Sequence, residues 1–476
     1  MALVAFILCI AGIAILFHLD RDNSVKTSNA LWIVVIWVAL IGSRPVSMWF
    51  GLTSDSGYAA ASDVEGSPFD AAVFGLLILL GVSVLFARSR KTGRYLMVMT
   101  PIILYFAYSL ISVLWSPVPV PSLKRWIKDV GDVVMVLIVL TDGRPVPALR
   151  RLFTRAAILL FPLSIYLIRY SDTGRAWDND GNLYSVGVTT NKNSLGLILF
   201  VITMGVLWNF RWLWVNRGEA NRRRKLTAQG ILLFSGLLLL EMAHSSTSIA
   251  CFLLGSALML APRLRYFKRR PSRAYILGPA VFILGGLAIF FNATGNVAGA
   301  LGRDSSFSGR TDIWSSLFPA ASNPIIGTGF DSFWNSANVL IFRHNLEVLG
   351  FYHPERLNEA HNGYLEVYLN LGWIGVCVLA ILLIWGYWMT CKALRRDPEV
   401  GSLFLAYVVA GMIYSVTEAG FRTLCPNWLF ILLAVIGASG LKSGLFPNKA
   451  SENPAPRRAK AMLVPAHQAF NEAGQF

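Results

Sequence analysis

Val376-Cys377-Val378-Leu379-Ala380-Ile381-Leu382-Leu383-Ile384 decides the class of fold. The run is continuously apolar, with none of the strict alternation that a membrane β-barrel strand shows. A helix satisfies its own backbone in lipid, so such a run reads as part of a transmembrane helix. Working outward, Ile231 to Leu240 repeats the pattern, and apolar segments recur along the chain. Their centres lie near residues 10, 37, 78, 104, 134, 160, 200, 237, 254, 283, 374, 409 and 435. Apolar residues make up 55% of the chain and charged residues only 14%, against about 25% charged in a soluble domain. The expectation is an all-α, polytopic integral membrane protein with about 12–13 transmembrane helices.

Orientation follows from where Lys and Arg collect. Segments 88–94, 144–155, 211–225, 263–273, 392–396 and the tail after 441 hold 28 of the 42. They fall at every second crossing, so they are expected to face the cytoplasm. This explains the net charge of +16 without nucleic acid. The alternate connections, 44–68, 115–128, 169–192, 244–247, 292–360 and 419–427, then face outward. Thirteen spans place the N-terminus outside; one fewer places it inside. The first segment, Ala2 to Phe17, lacks a basic start and is read as a retained span. Cys9, Cys251, Cys377, Cys391 and Cys425 show neither metal-ligand spacing nor a disulfide framework. No internal repeat suggests an inverted transporter architecture.

The chain divides into helices and short loops over 1–291, a large outward loop over 292–360, further helices over 361–445, and a disordered cytoplasmic tail over 446–476. A loop as long as 292–360 is rarely idle. Within it Ser308-Gly309-Arg310-Thr311-Asp312-Ile313-Trp314 reads as a helix start, running to about Ala321 before Asn323-Pro324 stops it. Arg310 beside free backbone N–H groups suits a phosphate; the alternative is an ion pair with Asp304 or Asp312. Gly327-Thr328-Gly329 reads as a tight turn. His361 and Asn362 open the next span, with Tyr364 on the same helical face. In a first turn the helix dipole disfavours imidazolium, so His361 is expected to be neutral and able to act as a general base.

Other polar residues gather at the same outward face. Arg169 and Arg175 follow the sixth segment, and Asn191, Lys192 and Asn193 open the seventh. Glu241 and His244 end the eighth, Asp129 and Asp132 enter the fifth, and Glu418 and Arg422 follow the twelfth. Such groups mark cavities or partners. Each also has a plainer reading: Arg169 can snorkel, Lys192 can be a helix-end residue, Glu241 and His244 can bond each other, and the aspartates can pair with Lys124, Arg125 and Lys128.

Several of these stretches resemble one family. Leu114-Trp115-Ser116-Pro117, Thr190-Asn191-Lys192-Asn193-Ser194-Leu195-Gly196, the Arg310 motif, Asn323 to Gly329, and His361-Asn362-Gly363-Tyr364-Leu365-Glu366 through Leu371-Gly372-Trp373-Ile374-Gly375 are similar, in this order, to O-antigen ligases and Wzy-type polysaccharide polymerases. The resemblance spans about residues 100–440. It implies a GT-C-like helical glycosyltransferase of the bacterial inner membrane, working at the periplasmic face without metal or other cofactor. The implied donor is an undecaprenyl-diphosphate-linked oligosaccharide, and the implied acceptor is a growing polysaccharide. A chain-length-regulating co-polymerase is a further implied partner, and nucleic acid is not one. Catalysis would fall to His361 and Arg310. Arg169, Arg175, Lys192 and Arg310 would bind the diphosphate. Asn191, Asn193, Asn362, Tyr364, Glu241 and His244 would line the substrate. Where ligases often carry Ser-Arg-Gly, this chain has Ser245-Ser246-Thr247-Ser248, which is closer to the exopolysaccharide-polymerase branch. Competing expectations are a ligase that passes glycan to lipid A core or protein, and a flippase of the lipid-linked oligosaccharide.

Overall fold

Apolar runs without polar interruption fold as helices, and the computed structural model shows them bundled. It describes residues 2–22, 26–52, 67–177, 181–261, 276, 278–280, 282–283, 307–349 and 357–446. The helices are α1 (Ala2–Asp20), α2 (Leu31–Ile41), α3 (Pro68–Ala87), α4 (Ser89–Val98), α5 (Thr100–Ser112), α6 (Pro119–Leu140) and α7 (Pro145–Tyr170). After a hairpin of β1 (Arg175–Trp177) and β2 (Leu183–Ser185) come α8 (Lys192–Val215), α9 (Arg222–Met242) and α10 (Ser246–Leu260). The remainder comprises α11 (Phe307–Ala320), α12 (Asn338–Val348), α13 (Gly363–Arg396), α14 (Pro398–Thr417) and α15 (Pro426–Lys442).

Among the described residues seven helices are each long and apolar enough to cross a membrane, and α4 with α5, bent by 86°, makes an eighth. The shorter apolar helices α2, α10 and α15 have 11, 15 and 17 residues, below the roughly 20 that span a bilayer alone. Helix α15 is instead buried from Pro426 to Leu441. Twelve of the thirteen expected centres fall inside these helices. The segment centred near 283, the basic stretch 263–273 and the tail from 447 lie largely or wholly outside the described residues.

The basic loops meet at one end of the bundle. Arg88 and Lys91 donate to the turn around Thr141, and Asp142 accepts from Ser28 N. Arg151 holds Asp22 O and Thr27, and Lys225 pairs with Asp22 at 2.6 Å. Arg211 pairs with Glu399 at 3.0 Å, and Arg396 donates to Lys442 O. Helix α1 therefore finishes at this basic end. Helix α2 leads away from it to Arg44, whose guanidinium holds Thr173 O, Gly187 O and Thr189 O at the opposite end.

Asp129 and Asp132 depart from the interfacial pairing expected of them. Both are buried. Asp132 accepts from Trp37 Nε1 at 2.7 Å, while Arg125 turns outward to Asp331. Helix periodicity explains this, because Arg125 and Asp132 stand seven residues apart, close to two turns, at different depths of α6.

The long loop brings its own small core. Ile313, Leu317 and Ala320 on one face of α11 pack with Phe333, Phe342, Leu346, Leu365 and Leu369. A second joint ties the loop to α13. Gly372 is not helical there (φ 63°, ψ −168°), so the ladder opens and exposes backbone groups that must find partners. Segment 324–329 supplies them. Trp373 N donates to Pro324 O at 2.8 Å and Ile374 N to Ile325 O at 3.1 Å. Thr328 N and Gly329 N return the pairing to Leu369 O and Asn370 O. Tyr108 Oη reaches Leu371 O, and Trp115 Nε1 reaches Ile326 O. The expected tight turn at Gly327-Thr328-Gly329 is thus half of a joint with Leu371 to Gly375.

Candidate active site

The ends of α8, α10, α11, α13, α14 and α15 converge at the end of the bundle away from the basic loops, and Glu418 stands where they meet. Helix α14 closes with Glu418 N donating to Tyr414 O, and the chain turns out in an extended conformation. Asn427 Nδ2 staples this turn by donating to Gly411 O, Ser415 Oγ and Gly420 O. Glu418 Oε1 accepts from Arg310 Nη2 at 3.0 Å and from Asn193 Nδ2 at 3.2 Å. Its Oε2 lies 3.5 Å from His361 Nδ1. Thr417, beside it, contacts Thr247 at 3.2 Å, so the Ser245 to Ser248 stretch borders the site.

The positions of Arg310 and His361 follow from local structure. Packing of Ile313 and Leu317 pins α11, and Trp314 Nε1 donates to Ala360 O at 2.9 Å. That fixes Arg310 beside the residues leading into α13. Asn362 is the N-cap of that helix, its Oδ1 accepting from Tyr364 N and Leu365 N. His361 therefore sits outside the first turn, in a left-handed conformation at φ 47°. Glu366 Oε1 takes Ala360 N at 2.6 Å and holds this turn from beneath.

The charge state of His361 differs from the neutral imidazole expected. Nδ1 is 3.0 Å from Glu359 Oε1 as an ion pair whose N–H is not aligned on the oxygen. Burial alone would lower the histidine, but the nearby carboxylates of Glu359 and Glu418 outweigh it and hold it up at about 10. The dipole argument fails because the ring stands before the cap and two carboxylates flank it. Burial likewise pushes Glu359 up, but His361 and Arg422 overrule it and hold it down at about 2. Arg422 Nη1 completes the chain at 3.1 Å from Glu359 Oε2. Imidazolium, Arg310 and Arg422 thus set three positive charges against the carboxylates of Glu359 and Glu418.

Among the described residues Glu359, His361 and Glu418 are the one group whose ligand atoms lie close enough, within 4.8 Å of one another, to hold a metal ion. Both carboxylates are already paired with guanidinium groups. A cation would have to displace these, so the set fits an anion better.

The other expected residues distribute unevenly. Asn193 joins the network, and Asn191 caps α8 through Ser194 N. Tyr364 lies half-buried nearby, its Oη donating to Met412 O at 3.0 Å. Lys192 covers the Tyr184 ring. Arg169 is exposed in the last turn of α7 and Arg175 at the start of β1, Arg175 standing 4.0 Å from Asp172. None of the three enters the network. Glu241 and His244 are exposed, and they are linked through the backbone, His244 N to Glu241 O. Glu359 escaped the sequence reading, and Glu418 and Arg422 drew notice only as ionisable groups at a helix end.

This geometry can be set beside known proteins. Residues 230–380, which include Arg310 and His361, match the family described as O-antigen ligase. The exopolysaccharide production protein ExoQ of Rhizobium meliloti (strain 1021) is 27% identical over 317 residues, covering 62% of this chain and 67% of that protein. Both matches point the same way, to the O-antigen ligases and the proteins of exopolysaccharide production. The chain is accordingly a multi-pass membrane enzyme with glycosyltransferase-like activity of the polymerase or ligase kind. The matched segment also contains both halves of the joint at Gly372.

Proposed function

We propose that the protein polymerises undecaprenyl-diphosphate-linked oligosaccharide repeats into exopolysaccharide at the periplasmic face of the bacterial inner membrane. The observation that carries this reading is the cation-rich cluster of Arg310, His361 and Arg422 around Glu359 and Glu418. Fixed cations in a buried site stabilise the charge that develops on a departing diphosphate. Guanidinium groups match phosphate oxygens in geometry. Arg310 and Arg422 hold the diphosphate, and the imidazolium of His361 adds a third fixed charge. A metal ion is not needed for this work. Arg169, Arg175 and Lys192 meet the donor on its approach, along the segment that leads into Asn193. Displacement at the anomeric carbon is direct and inverts its configuration.

ExoQ, named for exopolysaccharide production, favours polymerase over transfer to lipid A core or protein. The charges also collect at one end of the bundle, whereas a transporter would place them near its midplane. Purified protein in lipid, given a lipid-linked repeat, should yield a ladder of repeat multiples on a gel. Arg310→Ala and His361→Ala should abolish the ladder while the protein still purifies normally. Transfer only to added lipid A core would make the enzyme a ligase, and movement of the lipid across the bilayer without product would refute an enzymatic role.

A further inference from the structure

We propose that Glu418 takes the proton of the acceptor hydroxyl, and that Arg310 holds this carboxylate occupied until a diphosphate arrives. The inference rests on the reading above and assigns its proton transfer. Three carboxylates stand within the site, and their partners separate them. Glu366 accepts from Trp334 Nε1 at 3.0 and 3.1 Å and from Ala360 N at 2.6 Å, so it is committed to the small core and the turn before His361. Glu359 is held between His361 and Arg422. Glu418 alone of the three shares its oxygen with Arg310. An arriving diphosphate recruits that guanidinium and leaves Oε1 with Asn193 as its neighbour.

His361 is the rival for the same task, and the charge that its two neighbours impose, not its position, sets it aside. Its Nδ1 faces two carboxylates, at 3.0 and 3.5 Å. A ring already protonated has no lone pair to offer an acceptor hydroxyl. It serves instead as a fixed cation beside the leaving group. Glu418 is buried and the turn that carries it is stapled by Asn427 through Ser415 Oγ and Gly420 O, which is the rigid support that a proton-transfer group requires.

In the step itself the acceptor O–H bond breaks and its proton passes to Glu418 Oε1. The oxygen forms a bond to the anomeric carbon, and the bond from that carbon to the phosphate oxygen breaks. The electron pair leaves with undecaprenyl diphosphate, and no oxidant or reductant takes part. Release of the diphosphate returns Arg310 to Glu418 and expels the proton to water. Before a donor binds, the Arg310 contact keeps Glu418 from activating water.

Azide separates this role from a structural one, because it attacks carbon without a proton to lose. The reconstituted wild type, Glu418→Gln, Glu418→Asp, His361→Gln and Arg310→Ala are compared with the hydroxyl acceptor and with azide, reading undecaprenyl diphosphate release and product anomer. Glu418→Gln should lower hydroxyl transfer by about 10²–10⁴-fold. It should retain donor KM and form the inverted glycosyl azide at a rate near that of wild type. Glu418→Asp should keep a measurable part of hydroxyl transfer. Arg310→Ala should lose both reactions. Hydroxyl transfer within about threefold of wild type in Glu418→Gln overturns the proposal, as does failure of azide to react in that variant. Azide rescue of His361→Gln but not of Glu418→Gln returns the base to His361. If the wild type releases no diphosphate with either nucleophile, the glycosyl-transfer reading falls and this inference falls with it.

Discussion

Gly372→Ala tests the joint that seats the long loop on α13. Gly372 has φ 63° and ψ −168°, a region occupied almost only by glycine. A Cβ there would lie 2.2 Å from Ile325 O and 2.3 Å from Ile325 C, so backbone would have to move. The conformation costs a non-glycine residue about 1–3 kcal/mol. Parting the strands forfeits the bonds from Trp373 N and Ile374 N, at about 1 kcal/mol each. The joint should weaken by roughly 3–5 kcal/mol, which is an opening equilibrium raised about 10²–10³-fold or more. Hydrogen exchange at the amides of Thr328, Gly329, Trp373 and Ile374 reads that opening directly, with polymer yield falling alongside. Gly327→Ala attacks the other half, since a Cβ there would lie 2.4 Å from the Asn370 carbonyl at φ 70°. The double variant should lose less than the sum of the single losses, because both break one contact. Unchanged exchange and a normal ladder in Gly372→Ala would refute the reasoning.

Arg44→Lys replaces a guanidinium that holds three carbonyls with an ammonium that lacks the fork, so amide exchange across 172–190 should rise about tenfold, corresponding to one to two lost bonds. Donor KM should rise with it if Arg175 and Lys192 guide the donor, and unchanged KM would remove them from that path. The His361–Glu359 pair predicts a pH dependence of stability. His361 is raised from an ordinary 6.5 to about 10, so its contribution is complete below 6.5 and is lost as pH rises through 10. Glu359 is lowered from 4.5 to about 2, so its contribution is present above 4.5 and is lost as pH falls through 2. The melting temperature of wild type should exceed that of His361→Gln most between pH 4.5 and 6.5, with the gap closing toward pH 10; a gap that widens above neutrality would contradict the ion pair.

Much of the architecture was legible in single stretches. The apolar runs announced α7, α8, α13 and α14 because burial in lipid demands helices whatever their neighbours. The helix at Arg310 was legible in its end before Pro324, since stops act within one turn, whereas its start was misplaced, because the helix already includes Phe307 and Ser308 does not open it. His361 was found, and its charge was misjudged. The dipole rule was applied to a residue that the Asn362 cap leaves outside the helix. Glycines 327, 329 and 372 were visible as residues, but nothing local says that two of their segments would hydrogen-bond to each other.

The sequence by itself determined which segments cross or fill the membrane, where the basic loops lie, and that polar chemistry gathers near Arg310 and His361. Hydropathy and charge count are properties of consecutive residues, and they survive any arrangement of the helices. Only the tertiary structure decided what those polar groups are to one another. Arg310 meets Glu418 across 108 positions, and Asn193 meets it across 225. Arg422 meets Glu359 across 63. The charge on a half-buried imidazole depends on which carboxylates reach it. That is set by the packing of helix ends, which no local pattern encodes.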